Sequence, residues 1–85
     1  MQITGKILKI TDPEAVSEKL TKQLLIVEYA ENPQYPETIS LEAINDKCKL
    51  LDNLRVGNQV TAHFNLKGRE WNGKYFNTLA LWKVE

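Results

Sequence analysis

The sequence predicts an all-β fold, a small five-stranded barrel with one short helix between its third and fourth strands. Three observations predict it. Apolar residues alternate with polar ones over stretches of strand length. An Asn72-Gly73 pair separates the last two of these stretches, where a tight hairpin turn is expected. One segment, near residues 45–54, spaces its apolar residues as a helix does. At 85 residues the chain has room for one domain, covering 1–85, around one core.

Residues 3–10 (Ile-Thr-Gly-Lys-Ile-Leu-Lys-Ile) form the first strand. Ile3 and Ile7 share a face, and Gly5 between them marks a sharp bend or a close approach of another backbone, as at a barrel corner. Leu8 and Ile10 are left facing outward, which makes this strand the expected seam of a homo-oligomer. Residues 11–21 contain Asp12-Pro13 and mixed charges and read as a loop. Residues 22–30 are a near-continuous apolar run suited to a central strand. Pro33 and Pro36 break the chain after it. In 37–44, Ile39, Leu41 and Ala43 alternate with Thr38, Ser40 and Glu42.

Asn45 or Asp46 is placed to cap a short helix by accepting backbone N–H bonds. That helix runs to about Leu54, with Cys48, Leu51 and Leu54 as its apolar stripe. In 59–67, Val60, Ala62, Phe64 and Leu66 take one face. In 74–84 the inward set is Phe76, Thr78, Ala80, Trp82 and Val84, so Phe76 and Trp82 are assigned to the core. The order β-β-β-α-β-β is that of the OB-fold, a barrel that binds oligonucleotides or oligosaccharides across one face.

Composition narrows the function. No apolar run approaches the roughly 18–20 residues of a membrane span. The N-terminus lacks the charged-then-apolar layout of a signal peptide. Cys48 is the only cysteine, so no internal disulfide forms, and a cytoplasmic location is expected. Net charge is zero but unevenly spread. Residues 1–54 hold six basic and nine acidic side chains, net −3, and residues 55–85 hold five and two, net +3. His63 is the single histidine, with no cysteine or acid at ligand spacing, and reads as a solvated strand residue. Neither a phosphate-binding glycine loop nor an acid–base pair is present. No enzyme activity, metal or small-molecule cofactor is expected.

Proteins that hold single strands join a cationic groove to aromatic platforms, since every nucleotide offers a phosphate and a π-face. Here such residues cluster in one hairpin: Lys67, Arg69, Trp71, Lys74 and Tyr75. If alternation persists beyond Phe64, then Lys67, Arg69 and Trp71 all face away from the core. The plainer alternative is that Trp71 and Tyr75 only close the hairpin as an aromatic pair.

The stretch from Val56 to Phe76 (Val-Gly-Asn-Gln-Val-Thr-Ala-His-Phe-Asn-Leu-Lys-Gly-Arg-Glu-Trp-Asn-Gly-Lys-Tyr-Phe), closing on Ala80-Leu-Trp-Lys-Val-Glu85, resembles a family of short, functionally uncharacterised bacterial OB-fold proteins. Its final hairpin also resembles that of bacterial single-stranded-DNA-binding proteins. The second resemblance implies a basic residue and a base-stacking tryptophan at Arg69 and Trp71. The sequence departs from that pattern at the fourth strand, where a glycine usual near Phe64 is replaced. The loop at 11–21 has no aromatic, and the acidic, partner-recruiting tail of those proteins is expected to be lacking. Two functions are therefore expected to compete. One is sequence-tolerant binding of single-stranded DNA or RNA, by a homo-oligomer. The other is a protein-interaction module on the same fold. They separate on whether Lys67, Arg69 and Trp71 share one open face with Lys6, Lys9 or Lys22.

Overall fold

Alternation sets the inward face of each strand, and the register of pairing decides how those faces meet. The computed structural model describes residues 1–85. In chain order it contains β1 (Gln2–Ile10), β2 (Glu14–Ser17), β3 (Leu20–Tyr29), β4 (Glu37–Ile44), a 3₁₀ helix (Asn45–Leu51), β5 (Gln59–Trp71) and β6 (Lys74–Val84). Around the barrel the five long strands run β1-β5-β6-β4-β3 and close back on β1. The β4–β6 contact is parallel, at Glu42 and Ala80, and the other pairings are antiparallel. This is the OB-fold order, with the helix between the third and fourth long strands as expected. The short β2 was expected to be loop. It folds back on the start of β3 from Lys22 to Leu20, extending that strand as a hairpin.

Closure depends on Gly5. There β1 leaves β5, which it follows from Gln2 to Lys6, and joins β3, which it follows from Lys6 to Ile10. A Cβ at Gly5 would run into the carbonyl oxygen of Glu28, so the backbones meet where no side chain fits. Just beyond, the register slips between Ile7 and Lys9, leaving Leu8 as the extra residue of a bulge. The bulge flips the parity, and Ile10 packs against the core rather than facing outward. Each half of β1 thus has a strand neighbour on one edge, β5 over Gln2–Lys6 and β3 over Lys6–Ile10.

The core is Ile7, Leu25, Val27, Leu41, Ala43, Leu51, Val60, Ala62, Phe64 and Leu81. Each of its larger side chains contributes about 1.5–3 kcal/mol by leaving water. The helix closes one end of the barrel through Leu51, with Cys48, Leu50 and Leu54 packed around it. It is shorter than the sequence suggests, ending at Leu51, and no side chain caps it. Asn45 takes a different part: its backbone is left-handed (φ 53°) and its Oδ1 accepts the Thr21 N–H at 2.9 Å. The residue expected to cap the helix ties the helix entry to β3.

The inward face of β6 is the main correction to the sequence reading. Leu79 and Leu81 point to the core; Phe76 and Trp82 are 44% and 41% exposed. The cause is the turn. Asn72 and Gly73 both adopt positive φ (52° and 75°), the mirror-image geometry of a two-residue hairpin. That turn sets Trp71 opposite Lys74, Arg69 opposite Phe76 and Phe64 opposite Leu81. Residues directly opposite share a face, so inward Phe64 brings Leu81 inward and outward Arg69 takes Phe76 outward. A bulge between the Phe64–Leu81 and His63–Lys83 pairs leaves Trp82 as the extra residue and returns Val84 to the core side.

Candidate functional site

The two hairpins set the site. β1 accompanies β5 only as far as His63, with one further bond from the Phe64 N–H to the Met1 carbonyl oxygen at 2.8 Å. Beyond this β5 has β6 alone for a neighbour, and residues 65–77 are all exposed. The ribbon so formed runs past the barrel on one side of the outer face of β3 and β4. The β2–β3 hairpin stands on the other. Between them lies an open cleft of about 910 Å³.

Its lining comes from pleating. In β4 the core takes Leu41 and Ala43, so Glu42 and Ile44 face out into the cleft. In β3 the core takes Leu25 and Val27, which puts Lys22 on the cleft side. Lys67, Arg69 and Phe76 complete it from the ribbon. Three cations therefore line a cleft that holds one carboxylate, Glu42. The ion pairs of the molecule, His63–Glu85 and Lys83–Glu85, lie elsewhere, so no carboxylate stands within 4.0 Å of any of the three. Lys22 is half-buried.

The aromatic part adjoins it. The Arg69 guanidinium carbon lies 5.7 Å from the centroid of the Phe76 ring, within range of a cation–π contact. Arg69, Trp71 and Phe76 together line a smaller recess of about 360 Å³. Trp71 is 64% exposed and has Lys74 opposite it on the same face of the ribbon. Of the residues singled out in the sequence, Lys67 and Arg69 line the cleft and Trp71 lines the recess. Lys74 sits at the hairpin tip and lines neither. Tyr75 borders the cleft but pairs with Glu70 on the other face of the ribbon, apart from Trp71. Of Lys6, Lys9 and Lys22, only Lys22 joins the cleft.

Sequence reasoning missed Phe76 and Glu42. Phe76 was legible: the Asn72-Gly73 turn alone puts it opposite Arg69. Glu42 was read correctly as outward, but nothing in the sequence says that the β5–β6 ribbon will stand beside it.

A second cluster lies away from the cleft. His63 was expected to be solvated; its side chain is instead only 15% exposed. Its Nε2 lies 2.8 Å from Glu85 Oε2, and its ring sits 5.3 Å from that of Trp82 at 50°. Lys83 Nζ is 3.5 Å from the other Glu85 oxygen. The His63 hydrogen bond, and then the Lys83 charge, hold the Glu85 carboxyl below its ordinary range. Cys48 is half-buried on the inner side of the helix, its thiol donating to the Ala43 carbonyl at 3.4 Å, and burial pushes its pKa up. No group of three or more His, Cys, Asp or Glu side chains is placed to hold a metal ion. No helix is long and apolar enough to cross a membrane.

Compared with known proteins, residues 2–85 match the model of a family described as a domain of unknown function, DUF3127. No curated protein matches the chain.

Proposed function

We propose that this chain, which belongs to the DUF3127 family, binds single-stranded nucleic acid in the cleft between its two hairpins. One observation carries the reading: Lys22 from β3 meets Lys67 and Arg69 from β5 in a single cleft, beside an exposed Trp71 and Phe76. The face of the second and third long strands, between flanking hairpins, is where OB-folds take oligonucleotides. Unpaired cations suit phosphates, and two aromatic rings next to a guanidinium suit stacked bases. The resemblance of Arg69 and Trp71 to the hairpin of bacterial single-stranded-DNA-binding proteins supports the same reading. The reading places the chain in the cytoplasm, whose reducing conditions suit a lone cysteine.

Binding is electrostatic first and tolerant of sequence. Each phosphate contact contributes about −0.7 to the slope of log affinity against log salt for single strands. Lys22, Lys67, Arg69 and Lys74 together put that slope at about −2 to −3. A titration of labelled DNA and RNA single strands at several salt concentrations tests this. Absence of binding at low salt to either would overturn it and favour a protein partner for the cleft, which zero net charge and Glu42 would then explain.

The chain also acts as a homo-oligomer in this reading. The seam is the outer edge of β5 from Asn65 to Trp71, which carries unpaired backbone groups and exposed Leu66. Light scattering at micromolar concentration is expected to give a multiple of the 9.8 kDa chain mass. A monomer mass contradicts it.

A further inference from the structure

Glu42 is out of place in a cleft that takes phosphates. It is half-buried on the outward face of β4, flanked by Leu24 on β3 and Ala80 on β6. Neither neighbour can donate a hydrogen bond from its side chain. The carboxylate makes no side-chain hydrogen bond within the chain and no ion pair. Ala80 is small enough to leave the carboxylate open from that side. A phosphate above Glu42 would be repelled, so the backbone of a bound strand keeps to the cations on the cleft walls. The floor is left for base edges.

Resting on the proposed function, we infer that Glu42 reads guanine in a bound single strand. A carboxylate is an acceptor with two oxygens and takes two parallel donors best. On its Watson–Crick edge guanine presents N1–H and the 2-amino group side by side, and single strands expose that edge. Cytosine and adenine offer one amino group beside a ring acceptor. Thymine and uracil offer one N–H between two carbonyl oxygens, both of which repel a carboxylate. The order of preference on a tolerant background is guanine first and thymine or uracil last.

Fluorescence anisotropy at low salt tests this with two labelled oligomers of equal length, one all thymine and one with guanine at every third position. The protein is expected to prefer the second by roughly fivefold or more, the scale of one good bidentate base contact. Replacing each guanine by hypoxanthine, which keeps N1–H and lacks the 2-amino group, should remove much of that preference. In Glu42→Ala the two oligomers should bind equally, through weaker binding of the guanine strand. Equal binding by the unaltered protein, or a preference that survives Glu42→Ala, overturns the inference while the cleft remains a single-strand site. Failure of both oligomers to bind overturns the proposed function with it. The hypoxanthine arm uses the unaltered protein and does not depend on the variant folding.

Discussion

The barrel and the ribbon that leaves it are built from the same two strands, yet they treat apolar side chains in opposite ways. Up to Phe64 and from Leu81 onward, β5 and β6 bury Val60, Ala62, Phe64 and Leu81. Between those points the alternation continues without a core to receive it. Leu66, on the same face as Phe64, is 59% exposed, and Trp71, Tyr75 and Phe76 are exposed as well. An isolated two-stranded ribbon has little stability of its own. Apolar and aromatic side chains placed there contribute little to folding, and they are the ones the proposed function assigns to contact with a bound strand. The barrel supplies rigidity, and the ribbon presents chemistry.

The largest effect that would break this contrast lies in the barrel. Leu41→Ala removes a fully buried side chain and should cost about 2–5 kcal/mol of stability, a large share of what so small a domain has. Chemical denaturation reads it directly, and a loss well under 1 kcal/mol would mean that the barrel is not the stable unit. Trp71→Ala is the counterpart on the ribbon. Its stability should change by no more than about 0.5 kcal/mol, while affinity for single strands falls by about 1–3 kcal/mol. Unfolding of Trp71→Ala, or undiminished binding by it, would contradict the division of labour.

Trp82→Ala belongs between the two. Inward placement would have predicted a core-sized loss. The bulge puts Trp82 half out of the barrel and against His63, so the expected cost is about 1–2 kcal/mol. Thermal melts of the variant separate the two placements. The smallest effect concerns Glu85. Its carboxyl is held low by the His63 hydrogen bond and the Lys83 charge, so its contribution is present above the ordinary carboxylate value of about 4.3. The contribution is lost as pH falls through the lowered value in the folded state. Glu85→Gln should therefore flatten the acid side of the stability profile slightly, since the Glu85 carboxylate is exposed. An unchanged profile would mean that the contact adds nothing.

Most of the fold was legible because alternation and turn chemistry are local signals. The faces of β4, and of β5 up to Phe64, come from period-2 patterning, and Gly5 marked the place where two backbones touch. The features that were not legible are those that break the period. The bulges at Leu8 and Trp82 add single residues that no composition signal marks, and each reverses the facing of the residues beyond it. The error at Phe76 was of another kind, since the register set by Asn72-Gly73 held the answer. The alternation of 74–84 on its own does not say which of its two sets faces the core. In the site, Lys67, Arg69 and Trp71 could be found because they share one strand. Lys22 and Glu42 join them only through β4–β6 pairing, which is parallel and non-local and leaves no trace in the sequence near either residue.

The most direct test of the cleft is a map of backbone amide chemical shifts as a single-stranded oligonucleotide is added at low salt. Binding between the hairpins predicts that perturbed amides cluster at Lys22, Glu42, Lys67, Arg69, Trp71 and Phe76. His63, Trp82 and Glu85 should stay unmoved. Perturbations centred on the His63 cluster, or none anywhere at millimolar oligonucleotide, would contradict the account.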